Sequence, residues 1–290
     1  MIHTLKHIAI HALEDTVGLI PFLFVTYCIM EYMEHFMTEK SEAAVRYSGK
    51  MGPLWGGILG IVPQCGFSAA AASFYSGGVI TLGTMLAIFL STSDEMLPIL
   101  ISASVPAATI ARILAAKALI AVLCGFIIDL ALHAFGKAHT AEKHIHSLCE
   151  QDRCHCHEAH SVWRSALHHT VKVFVFIFAV SALLNLLLEW GGDSALEQFA
   201  TNNSLLAVVL IGVVGLVPNC AASVIITQLY LKGVISAGAM MAGLLVGAGV
   251  GLLVLFRTNH PMKQNVLIVC LLYATGIAAG FLIDLLRITF

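Results

Sequence analysis

From residue 265 to 288 the chain reads NVLIVCLLYATGIAAGFLIDLLRI, and no charge interrupts it before Asp284. A helix rises about 1.5 Å per residue, so this one run is long enough for the roughly 30 Å hydrocarbon core of a bilayer. Comparable apolar runs lie near 15–36, 54–76, 79–92, 95–105, 107–132, 167–189, 204–230, 234–247 and 248–257. Composition agrees: 59% of residues are hydrophobic, 11% are charged and the mean hydropathy is +0.90, far outside the soluble range. The expected fold is an all-α polytopic membrane protein of about eight to ten helical segments joined by tight loops. A net charge of -2 and a pI near 6.7 offer no basic field, which excludes nucleic acid as a partner. The N-terminal MIHTLKHIAIHALEDTVG carries three histidines and the pair Glu14 and Asp15 with no small-residue cleavage pattern, so the first helix is expected to stay.

The apolar runs fall into two related sets. ILGIVPQC (58–65) and VVGLVPNC (213–220) agree at four of eight positions. GGVITLGTM and KGVISAGAM keep Gly78/Gly233, Val79/Val234, Ile80/Ile235, Gly83/Gly238 and Met85/Met240 in one register, and GFIIDL (125–130) differs from GFLIDL (280–285) once. All three pairs lie 155 positions apart, as Cys65 and Cys220 do. A constant offset through Pro, Cys, Gly and Asp marks a duplication. The chain therefore divides into a first membrane repeat (1–135), a linker (136–165) and a second membrane repeat (166–290).

Loop charge indicates how the copies are oriented, because Lys and Arg collect on the cytoplasmic side. TEKSEAAVRYSGK, after the first span, holds Lys40, Arg46 and Lys50, whereas its counterpart EWGGDSALEQFATNN holds none. Equivalent loops on opposite faces require an odd number of crossings per copy. The expectation is two inverted repeats of about five helices each, with the linker in the cytoplasm and both termini outside. Segments three and four of each copy are too short to cross alone, so half-helices or a broken pair are expected there. Inverted repeats with helices broken near the midplane are the architecture of secondary transporters.

Proline removes a backbone donor and clashes with the carbonyl four residues earlier, so the helices should break at Val62-Pro63 and Val217-Pro218. Carbonyls freed at membrane depth are tolerated only where protein or a wet cavity covers them, so the breaks point inward. Beside Pro63 and Pro218 stand the carboxamides Gln64 and Asn219, the thiols Cys65 and Cys220, and the hydroxyls Ser68 and Ser223. Oxygen and sulfur ligands around unwound backbone would suit a cation or metalloid. A lone cysteine or a proline kink in a span is ordinarily packing; here both recur, adjacent, in both copies.

FLSTSDEML (89–97) is a second constellation, with Ser91, Ser93, Asp94 and Glu95 between apolar runs. Two carboxylates at membrane depth cost several kcal/mol unless hydrated, protonated or bound to a cation. The second copy has Gly249-Val250 there, so one copy carries charge and the other leaves room for backbone. A short polar surface turn is the plainer alternative; the functional reading has Asp94 or Glu95 bind the metal or exchange a proton for it. Asp129 and Asp284, at matched places near two helix ends, are expected to cap or to meet a partner such as His133 or Arg287.

The linker and its flanks, 133–169, hold nine of the 14 histidines, with HIH and CHCH tracts. His144, His146, Cys149, Cys154, His155, Cys156, His157 and His160 supply nitrogen and sulfur ligands for a zinc-like ion. C-x-C spacing suits loose, exchangeable binding better than a closed finger, so the linker reads as a labile metal collector or a solvated connection. No other cofactor is expected. Without a G-x-x-x-x-G-K-[ST] loop, the chain is not expected to hydrolyse ATP.

Together VPQCGFS, STSDEMLPIL and LVPNC, in that order, resemble the family of ten-transmembrane heavy-metal exporters variously labelled arsenic efflux protein or manganese transporter. The resemblance implies a bacterial inner-membrane exporter of a metal or metalloid. Its partners would be that ion, the bilayer and, in a homo-oligomer, a second copy. The reading is proton-coupled secondary export of a zinc-, manganese- or cadmium-like cation through Pro63, Gln64, Cys65, Pro218, Asn219 and Cys220, with charge from Asp94 and Glu95, and no enzymatic activity. Two alternatives stand beside it: arsenite or organoarsenical efflux on thiols alone, and a membrane thiol oxidoreductase, for which no base is evident near either thiol.

Overall fold

A computed structural model of the chain describes residues 51–61, 65–92, 96–134, 204–218 and 220–290, with isolated positions between 20 and 28 and between 163 and 179. At 65, 204, 205, 220 and 221 only the backbone is described. These residues form ten α-helices and no strand. The first five are α1 Gly52–Leu59, α2 Cys65–Ser76, α3 Leu82–Ser91, α4 Met96–Ser102 and α5 Ala107–Ala134; the second five are α6 Ser204–Gly215, α7 Cys220–Leu231, α8 Ala237–Val246, α9 Val250–Thr258 and α10 Met262–Leu285. The bounds of α2 and α7, and of α3 and α8, differ by the same 155 positions at both ends.

Breaks fall where the prolines require them. α1 ends at Leu59 and α2 begins at Cys65; α6 ends at Gly215 and α7 begins at Cys220. The short third and fourth segments are two halves of one apolar crossing in each copy, Leu82–Ser102 and Ala237–Thr258, at 21 and 22 residues. With α5 and α10 these make four stretches long and apolar enough to cross a membrane.

Helix direction adds something hydropathy does not carry. A β-carbon on Gly52 would strike Thr84, one on Gly56 would meet Ile88 and one on Gly60 would strike Ser91, so α1 and α3 advance side by side in the same direction. Yet α2 joins α3 through a five-residue turn: Gly78 at φ 72 closes it, with Val79 N–H donating to Phe74 O at 2.8 Å. α2 must therefore bring the chain back, and 52–76 is a helical hairpin rather than one broken crossing. α6 likewise runs alongside α8, Gly215 against Gly243, and Gly233 at φ 73 closes the matching turn.

The halves interlock. α2 lies along α9, where Ser76 Oγ and Thr258 Oγ1 are 2.7 Å apart. Around α3, one apolar core gathers Ala69, Tyr75, Phe89, Leu253 and Leu272; around α8, another gathers Met96, Leu100, Ile226 and Met241. Each core thus takes residues from both copies. α8 is buried along its whole length, and α3 except at Ile88. α5 and α10 lie outside them, exposing Leu119, Ile127, Val266 and Leu282 as a lipid-facing helix would.

Both central helices start on the same device. Thr81 and Ser236 cap α3 and α8, accepting from the amides of Thr84 and Ala239 at 3.1 Å. Asp129 accepts from Thr81 Oγ1 at 2.7 Å and Gly83 N–H at 2.8 Å; Asp284 accepts from Ser236 Oγ and Gly238 N–H at the same distances. A carboxylate at a helix N-terminus satisfies open amides and opposes the helix dipole. The two aspartates are caps, as expected, but each on an earlier helix, through residues 48 and 46 positions before it. This approach needs glycine, since a β-carbon on Gly83 would lie 2.2 Å from Gly125 O and one on Gly238 2.3 Å from Gly280 O. Gly83→Ala and Gly238→Ala should each cost about 3 kcal/mol. Gly233→Ala meets nothing within 4 Å and should cost about 1 kcal/mol through backbone strain alone. Melting temperatures in detergent check the order; equal losses at all three would remove the close approach.

Candidate functional site

Four helix ends meet at the middle of the protein. α1 stops beside the end of α3, so close that a β-carbon on Gly60 would sit 1.9 Å from Ser91 Oγ. α6 stops beside the end of α8, with Gly215 against Gly243 and near Gly247. Ser91 is fully buried and its hydroxyl donates back to Ile88 O at 3.1 Å. Thr92, the C-cap of α3, turns to extended backbone (ψ 132) and donates its hydroxyl to Ile88 O at 2.7 Å. α8 ends at Val246 with Gly247 as its C-cap, and Gly249 at φ 51 redirects the chain into α9.

The close approach in the second copy falls at Gly251, two positions after Gly249. A β-carbon on Gly251 would lie 2.8 Å from Ser68 Cβ and 2.9 Å from Ser68 O. Ser68, on α2 and wholly buried, is thereby held against the break between α8 and α9. Ser223, its counterpart on α7, is half-buried and its carbonyl accepts from Thr227 Oγ1 at 2.7 Å. The structure thus brings Ser68 and Ser91 to the central breaks. Pro218 also lines an apolar cavity of about 290 Å³ with Leu216, Phe256, Val269 and Cys270.

Pro63, Gln64, Ser93, Asp94, Glu95 and Asn219 lie outside the described residues, as do the side chains of Cys65 and Cys220 and the linker ligands His144, His146, Cys149, Cys154, His155, Cys156, His157 and His160. The backbone makes Cys65 and Cys220 the first residues of α2 and α7, directly after the breaks. Among the described residues no three His, Cys, Asp or Glu side chains gather as a metal centre.

One group at the centre escaped the sequence reading. Lys117, 1% exposed on α5, donates from Nζ to Thr92 O and, at 3.0 Å, to Leu244 O. The first acceptor ends α3 and the second lies in the last turn of α8, so one side chain ties together helices of both copies. Its own counterpart, 155 positions on, is the buried Leu272. The available signal was a lysine within an apolar span, between Arg112 near its start and Asp129 near its end. Counting charges in loops passes over such a residue, although ionisable groups inside a membrane are rare and mostly functional.

Broken apolar helices whose ends meet around buried polar groups define the class: a polytopic α-helical membrane protein built like a transporter. The chain belongs to the family described as "Putative, 10TM heavy-metal exporter", whose model matches residues 4–191. No curated protein and no solved structure matches it.

Proposed function

We propose that this chain is a secondary exporter of a heavy-metal cation of zinc, manganese or cadmium type, built as two inverted repeats and driven by proton exchange. One observation carries the reading: matched breaks in the two copies bring the ends of α1, α3, α6 and α8 to a common centre, where carbonyls left by unwound helices line up beside buried hydroxyls. In the membrane such backbone is tolerated where it serves a cavity or a substrate. Gln64, Cys65, Asn219, Cys220, Asp94 and Glu95 follow directly on these helix ends in the sequence and are the ligands we assign to the ion.

The inverted arrangement has its own support. A hairpin that returns to its starting face does not count as a crossing, and α3 with α4 makes only one. With the first span taken as a crossing from its sequence, that span, the α3–α4 crossing and α5 would give three, an odd number as the loop charges require. Localisation to a bacterial inner membrane, with the His/Cys-rich linker in the cytoplasm as a labile metal collector, completes the proposal. A reporter fused after Gln151 should read cytoplasmic and one fused at Phe290 periplasmic; finding both on one side would remove the inversion. A host lacking the protein should gain resistance to a narrow set of divalent metals on expressing it, and an unchanged sensitivity panel would count against export.

A further inference from the structure

Lys117 reaches two carbonyls that their own helices leave open. Within α8 the amide of Ala248 would be the partner of Leu244 O, but it donates to Val246 O at 2.9 Å, and Thr92 has already left helical geometry. Each helix C-terminus carries about half a negative charge in effect. Two such ends, one from each copy, face the Lys117 ammonium and favour a cation there. An ammonium carries three donors and no acceptor, so carbonyl oxygens suit it fully. Nothing in the repeat demands a lysine, since the matching position is filled by Leu272. A buried cation that packing did not require, seated on a ready oxygen site, is a tethered ion.

We propose that the carbonyls of Thr92 and Leu244 form a cation site at the centre of the protein, that the Lys117 ammonium is its resident occupant, and that the transported cation enters by displacing it. This rests on the reading of the protein as a cation exporter and adds the step that empties the site. Both cations bind oxygen lone pairs, so entry of one and departure of the other exchange ligands without making or breaking covalent bonds. The tethered ammonium then returns and expels the metal. Its charge weakens metal binding and speeds release, because two cations a few ångströms apart repel strongly in a protein interior.

Two measurements test this separately. Lys117→Ala, purified in detergent without metal, should melt at a lower temperature than the parent and regain most of the difference in millimolar propylammonium chloride, but not in equal 1-propanol. Failure of the amine to do better than the alcohol would overturn the cation site. In vesicles, Lys117→Met keeps the chain length and removes the charge. With whichever divalent metal the parent carries, its KM should fall about tenfold or more and its kcat should fall as well, since the competitor that drives release is gone. A purely structural lysine would lower kcat with KM unchanged or raised, and that result would overturn displacement. Should the parent carry no metal, the export reading fails and displacement with it, while the amine test, read without metal, still decides the cation site.

Discussion

Asp94→Asn combined with Glu95→Gln should abolish transport of divalent cations, by about 100-fold or more in initial rate, while leaving neutral arsenite much less affected. The pair follows Thr92, whose backbone ends α3 at the centre of the protein. A divalent ion entering that region brings two positive charges to a site already holding the ammonium of Lys117. Coulomb energies of several kcal/mol at a separation of about 4 Å are then at stake, and carboxylates are the groups that offset them. Amides of the same shape keep oxygen ligands and remove only the charge. Vesicles loaded with zinc, manganese or cadmium measure the effect directly. Undiminished divalent transport in the double variant would return Asp94 and Glu95 to a surface turn.

The second large effect concerns which ion is carried. Cys65→Ser and Cys220→Ser should each shift preference from zinc-like and cadmium-like ions toward harder ones by about tenfold, because thiolate selects soft metals and a hydroxyl does not. Both residues open a helix directly after a break, and the two breaks are related by the duplication, so the variants should act in the same direction. Competition between cadmium and manganese in the same vesicles reads the preference. An unchanged ratio in both variants would make the two cysteines packing residues.

How far the sequence reveals this molecule depends on the range of the interaction concerned. Breaks at Pro63 and Pro218 are local consequences of a missing amide, and helices stop and restart on either side of them. The duplication is a matter of register, and it reappears in the matched bounds of α2 with α7 and α3 with α8. Hairpin 52–76 was not legible as one, because a segment that turns back within a bilayer, exposing Trp55 and Ile58, is as apolar as one that crosses it. Its glycines at 52, 56, 57 and 60 were the trace of it, since each allows α1 to approach α3 or α5 closely. Asp129 and Asp284 could be read as caps from their type and place, but their true partners, Thr81 and Ser236, are set by how α5 and α10 pack. Lys117 shows the same limit: its acceptors are 25 and 127 positions away.

Export itself is tested most directly by metal flux into liposomes that hold only the purified protein, oriented and given a proton gradient. At least one of zinc, manganese and cadmium should move saturably, in dependence on the gradient, and that movement should be lost in Asp94→Asn with Glu95→Gln. Flux of none of these ions above protein-free liposomes, from a preparation that melts cooperatively, would contradict it.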